Sequence, residues 1–352
     1  MTHDSSHRFG LRSVLAVLIA VGAACVWYFS GNASQLEQAR QAVQRDEKQS
    51  ALRHYARHLH ESPDDHAVRL ELAEFLKPVD AGLALRHLQK IPQAAPEYPA
   101  AIWHIAHIAV VSGQDELAEE SLLKLDKARP NDAAVALNLA ELYFRTERFS
   151  DALPWVEQAS SLQPDRAGTW LLLAEVLDRL KRTGEMLPPL KKAVELAPDL
   201  YAAHANLAYA LQAAGQLQEA EAEARWCLDR QPTDVRVRRW LAMIRRDLGD
   251  LDDAMQQIRL ATAEAPEDAD CRMLEADLLL FQRQAEDAYQ VLVPLYSACS
   301  GRRDYLSNLS RAAAMSGRRD EARRYQQEVV NLIDELSDQV NPVPTAGAEA
   351  AD

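Results

Sequence analysis

From about Ser34 onward, apolar residues recur three or four positions apart. Ala136, Leu139, Ala140 and Tyr143, for example, trace one buried helical stripe. The stripe restarts on a fixed lattice. Prolines stand at 96, 130, 164, 198, 232 and 266, each 34 residues after the last, with Pro63 one step earlier and one residue short. On that lattice a small residue recurs in the first half of each unit, at Ala73, Ala106, Ala140, Ala174, Ala208, Ala242, Ala276 and Ser310. One residue before it runs Leu72, Ile105, Leu139, Leu173, Leu207, Leu241, Glu275 and Leu309. A second small column holds Ala51, Ala84, Ala118, Ala152, Met186, Ala220, Ala254, Ala288 and Ala322. Small residues facing each other let two helices approach closely, where a larger side chain would overpack the contact. Gly113, Gly215, Gly249 and Gly317 follow the first helix, where a left-handed stop needs no Cβ. The lattice proline ends the second helix. Asp65, Asp132, Asp165, Asp199, Asp234 and Asp268 then offer oxygens to cap the next one. The repeating unit is an antiparallel helical hairpin.

These columns resemble the tetratricopeptide repeat. Units read as 66–98, 99–132, 133–166, 167–200, 201–234, 235–268, 269–302 and 303–336, with a linker and degenerate first repeat at 31–65. Three departures disturb local register: Pro78-Val79-Asp80 in the short unit, Met186 with Pro188-Pro189, and Glu275 with the proline missing at Ser300. The resemblance implies an all-α, right-handed superhelical solenoid, about eight units over 66–336, whose first helices line a groove for a protein or peptide. The second, fifth, ninth and twelfth residues of each unit would line it. Here these include Trp103, His107, Leu137, Glu141, Phe144, Leu171, Glu175, Asp178, Tyr209, Gln212, Arg236, Arg239, Met243, Arg246, Asp270, Met273, Asp277 and Leu280. A plain solvated face is the alternative, and the run Arg236-Val237-Arg238-Arg239 could equally be tied up by Asp229, Asp247 and Asp250. Relatives that grip a chaperone's terminal carboxylate carry Lys at the fifth and Asn at the ninth position; no unit here has that pair, so such capture is not expected.

The amino terminus is built differently. Arg8 and Arg12 precede an uncharged stretch whose apolar heart, Val14–Phe29, ends in Trp27, Tyr28 and Phe29. That length is near the minimum for crossing a ~30 Å hydrocarbon layer, and aromatics favour its interface. The segment at 13–30 reads as a signal anchor, with residues 1–12 cytoplasmic and the array on the extracytoplasmic side, periplasmic in a bacterium. A cleaved signal peptide ending at Gly31-Asn32-Ala33, and a lipoprotein modified at Cys25, are the alternatives. At the other end, the last helix should stop near Ser337 and leave a disordered tail at 337–352.

Composition narrows the function. The chain has 352 residues, 48% apolar, with only 12 glycines, which argues against a turn-rich β fold. Lys plus Arg is 39 against 53 acidic residues, a net charge of -14, so binding nucleic acid through bulk charge is disfavoured. Nucleotide-binding, zinc-protease and hydrolase signatures are absent, and the repeats leave no room for an appended catalytic domain. No enzyme activity, cofactor or small-molecule substrate is expected. His54, His58 and His60 have metal-ligand spacing but read better as packed or surface histidines. Cys271 and Cys299 occupy adjoining ends of one hairpin and could form a disulfide in an oxidising compartment; two buried thiols are the alternative. The whole reads as a membrane-anchored scaffold for a polypeptide partner, or else an assembly factor for secretion or cytochrome c maturation machinery.

Overall fold

A computed structural model describes residues 34–340. The anchor expected at 13–30, Cys25 and most of the tail expected at 337–352 lie outside them. No helix among the described residues is long and apolar enough to cross a membrane. The described chain is helical, with no strand among its residues, and divides into two compact units between Leu162 and Gln163.

The first unit holds four hairpins: α1 (Gln35–Gln44) with α2 (Lys48–Glu61), α3 (His66–Leu76) with α4 (Ala81–Leu88), α5 (Tyr98–Val111) with α6 (Asp115–Ala128), and α7 (Ala133–Arg145) with α8 (Phe149–Leu162). The second holds five. They are α9 (Ala167–Arg179) with α10 (Leu187–Leu196), α11 (Tyr201–Ala213) with α12 (Leu217–Arg230), and α13 (Val235–Asp247) with α14 (Leu251–Glu264). Next come α15 (Ala269–Phe281) with α16 (Ala285–Leu292), a short α17 (Tyr296–Cys299), and α18 (Arg303–Met315) with α19 (Arg319–Val340). The facing small columns do what their size requires. Ala73, Ala140, Ala174, Ala208, Ala242 and Ala276 are wholly buried, and so are Ala84, Ala118, Ala152, Ala220, Ala254 and Ala288 across the hairpin.

The turn between paired helices is set by backbone geometry more than by residue type. Gly113, Gly215, Gly249 and Gly317 have positive φ, and so do Glu147, Lys181 and Arg283 at the lattice positions between them. At Gly249 the amide bonds to Arg246 O and the next amide, of Asp250, bonds to Arg245 O, both 2.9 Å, which closes the helix in a Schellman stop. The α3–α4 turn, which contains Pro78, is the exception: four residues separate its helices and no left-handed residue occurs there.

Helix starts correct one expectation. Asp65, Asp132, Asp234 and Asp268 each accept a hydrogen bond from a backbone N–H of the first turn. Asp165 and Asp199 do not cap. The structure places the cap at Arg166 and Leu200, one residue later, and neither provides a side-chain acceptor. The three capping aspartates after Pro130, Pro232 and Pro266 stand two residues past the proline, whereas Asp165 and Asp199 stand one past it.

The lattice proline has a second role that the apolar pattern does not disclose. Six residues on, a side-chain donor turns back to its carbonyl: Trp170 to Pro164 O at 2.9 Å, His204 to Pro198 O at 2.8 Å, Arg238 to Pro232 O at 2.8 Å and Arg272 to Pro266 O at 3.0 Å. Arg69 does the same to Pro63 O. These carbonyls lie just past the helix end, outside the helical ladder, and the donors supply them with a partner.

The departing units absorb their substitutions locally. Met186 is buried because the chain makes a 3-10 turn at Thr183–Glu185 and starts α10 late, with Pro188 and Pro189 in the first turn, where proline's missing N–H costs nothing. Glu275, buried in the leucine column, meets Arg272 at 3.3 Å from one turn earlier. The second helix of unit 269–302 is not continuous: Pro294 interrupts it with a 3-10 turn at Val293–Leu295 before α17. At the end, α19 continues to Val340 instead of stopping near Ser337, since no Gly or Pro occurs between 333 and 340 to end it.

Candidate functional site

The residues at the second, fifth, ninth and twelfth positions lie on the first helix of each hairpin, and each compact unit carries its own set. In the first unit, α5 supplies Trp103 and His107 and α7 supplies Leu137, Glu141 and Phe144. Trp103 is half-buried and walls a hollow of about 270 Å³, completed by Ala100, His104, Arg129, Asp132 and Ala134. Beside it, Lys77 Nζ donates to His104 Nδ1 at 3.0 Å, while His104 Nε2 lies 2.9 Å from a Glu74 oxygen. Burial, then the Lys77 ammonium, push the His104 pKa below its usual value, against the opposing effect of Glu74. His107 and Glu141 are exposed. Leu137 is only 6% exposed and belongs to the core, not to an accessible surface. Phe144 is half-buried with its ring edge-on to Phe149 at 5.5 Å, so part of it packs within its own hairpin.

In the second unit, the arginine-rich stretch is not a free basic strip. Arg239 meets Asp270 at 2.7 Å, and Arg302 reaches the same carboxylate at 2.8 Å. Arg246 and Arg311 converge in the same way on Asp277, at 3.3 and 2.6 Å. Each aspartate is therefore shared by two guanidiniums, one from α13 and one from α18 or the residue that precedes it. Burial raises the Asp270 pKa, but Arg302 and Arg239 outweigh it and hold the carboxyl below its ordinary value. Of the expected local partners, Asp247 takes Arg246 at 3.0 Å and Asp250 takes the neighbouring Arg245 at 3.6 Å, whereas Asp229 takes no cation among the described residues. The decisive acids come one repeat later, at spacings of 31 residues that no local reading would inspect. Met273 and Leu280 are buried.

The remaining residues form a different neighbourhood. Glu175 and Asp178, with half-buried Leu171, face outward from α9. Asn206 Nδ2 approaches Glu175 at 3.5 Å, and Gln212 is engaged by Asp247 at 2.6 Å. Tyr209 stacks on Trp240 with centroids 5.6 Å apart, and the Arg236 guanidinium lies 5.3 Å from the same indole. Asn206, Trp240 and Arg302 were not among the expected lining positions. Only the side-chain geometry brings them in.

No cluster of three or more metal-ligating groups occurs among the described residues. Two of the three histidines weighed as ligands have protein partners: His58 Nε2 with Asp65 at 2.9 Å, and His54 Nδ1 with Gln35 at 2.9 Å. Cys271 and Cys299 are both buried and free in this structure, as is Cys227. Burial pushes the Cys227 and Cys271 thiols up to about 12, far from reactive thiolates at neutral pH.

Models of the tetratricopeptide repeat match residues 104–167, 137–201, 205–269 and 303–335. The chain belongs to the tetratricopeptide repeat family. No curated protein matches it in sequence. Among solved structures, a tetratricopeptide repeat protein from Parabacteroides merdae is 17% identical, with a TM-score of 0.57, covering 66% of this chain and 93% of that one. PilW, described as a widely conserved type IV pilus biogenesis factor, is 23% identical over 61% of this chain and 98% of its own, with a TM-score of 0.49. A MamA protein is 18% identical over 50% and 96%, with a TM-score of 0.46. The first of these shares the fold.

Proposed function

We propose that this tetratricopeptide repeat protein is a non-enzymatic scaffold, anchored in a membrane by residues 13–30, that binds a protein or peptide on the first-helix face of a right-handed array held on the extracytoplasmic side. The observation that carries the reading is the Trp103 hollow. A half-buried indole, flanked by alanines and by an Arg129 guanidinium that has no carboxylate partner among the described residues, suits a partner's apolar side chain next to an acidic or carbonyl group. Trp103 is not in either small column or the leucine column, so the fold does not require an indole there.

A photoactivatable cross-linker placed at Trp103 in intact cells tests this. It should trap a discrete polypeptide, and Trp103→Ala with Phe144→Ala should weaken that partner's capture while helical circular dichroism is kept. Unchanged capture with an intact helical signal would move the site off this face. An assembly factor acting on unfolded clients would give a heterogeneous ladder of cross-links instead of one band. Amino-terminal sequencing of the mature protein tests the anchor: a start near Ser34 would remove it.

A further inference from the structure

The second unit tells more about what such a partner must carry. In the hairpins from 235 to 311, first-helix charges neutralise one another through the shared aspartates Asp270 and Asp277. Three repeats before Asp277 that arrangement is absent. Asp277 has Arg311 at the equivalent position of the following hairpin, whereas Glu175 has Tyr209. Neither Glu175 nor Asp178 has a cation within ion-pair distance among the described residues, and Asn206 at 3.5 Å is a weak, neutral contact for Glu175. Glu175 is half-buried, and burial, with Asp178 adding to it, raises its pKa against the opposing effects of Asn206 and the more distant Arg236. Two carboxylates thus share a partly dry position facing one remote guanidinium. The same face offers the half-buried Leu171 and Ala202 for an aliphatic stem, and the Tyr209 ring, held flat against Trp240, for a cation.

Resting on the groove-binding reading, we propose that the surface formed by Leu171, Glu175, Asp178, Ala202 and Tyr209 receives a lysine or arginine side chain of the bound polypeptide, so that the partner is selected for a basic residue. The aspartate-locked stretch that follows contributes shape and not charge selection. A partly desolvated carboxylate gains most from an ammonium or guanidinium that restores its lost solvation, and removing one member of such a pair is costly.

The test uses the full chain in detergent against an array of short synthetic peptides in which one residue is varied through all side chains. The wild type should retain peptides with Lys or Arg at the varied position at least about tenfold better than those with Gln or Glu, a difference of about 1.4 kcal/mol. The double variant Glu175→Gln, Asp178→Asn should lose that preference while keeping its helical spectrum, and Glu175→Lys should shift it toward Asp and Glu. Retention without a basic preference, or a preference unaffected by the double variant, would overturn this inference and leave the groove reading standing. Failure of the wild type to retain any peptide would overturn both.

Discussion

The left-handed residue that closes each hairpin turn can be probed from both directions. At Gly249, φ is +86°, and a Cβ built there would meet no atom within 4 Å. The cost of Gly249→Ala therefore comes from backbone conformation alone, with no steric collision to confuse it. An L-residue in this region is disfavoured by roughly 1–2 kcal/mol, and the stiffer unfolded chain returns about 0.4–1 kcal/mol. The net expectation is a local loss of about 1 kcal/mol. Arg283 sits at the equivalent turn one repeat later with φ +61°, so Arg283→Gly should gain a comparable amount. Because repeat arrays open locally, native-state hydrogen exchange is the right assay. The Asp250 amide, bonded to Arg245 O at 2.9 Å, should exchange about fivefold faster in Gly249→Ala. The Gln284 amide, bonded to Leu279 O at 2.8 Å, should slow correspondingly in Arg283→Gly. If both substitutions moved exchange in the same direction, turn conformation would not be the controlling term.

Three further outcomes follow from the packing and the charges. Arg166→Asp, which restores an acceptor at an empty cap, should stabilise the start of α9 by about 1 kcal/mol in urea titrations, and Asp165→Ala should do little. Ala208→Trp, at a position with no exposure, should overpack α11 against α12 and destabilise by about 1–3 kcal/mol or more, seen as a lower melting temperature. Burial, and then neighbouring cations, depress the pKa of both His87 and His104 from 6.5, so the unfolded chain takes up protons first as the pH falls. The first unit should accordingly lose stability as pH drops below about 6.5, and His104→Gln should flatten that slope; a stability that rises on acidification through this window would contradict the assignment.

Much of the fold was legible because its physics is local and periodic. Helix pairing needs small residues at fixed spacing, so Ala140, Ala174, Ala208 and their partners marked the hairpins without reference to distant parts of the chain. What escaped depends on position to one residue or on side-chain reach. Asp165 and Asp199 resemble their capping counterparts in composition but sit one residue too near the proline. Glu147, Lys181 and Arg283 adopt the glycine conformation without being glycine. The candidate binding face was the least legible part: position alone marked Leu137, Met273 and Leu280 as accessible, although all three are buried. Position likewise marked Arg239 and Arg246 as available, although aspartates one repeat later hold them.

Those shared aspartates limit how freely the protein can be shortened or rearranged. Excising residues 269–302 would keep the 34-residue lattice and every small-residue contact in phase, yet it would bring Arg311 into the place of Asp277, opposite Arg246. Two guanidiniums would then confront each other where a carboxylate had bridged them. Hairpins that look interchangeable by their cores are thus addressed to particular neighbours by charge, and an insertion or deletion in this part of the gene must respect that order as well as the length of the repeat.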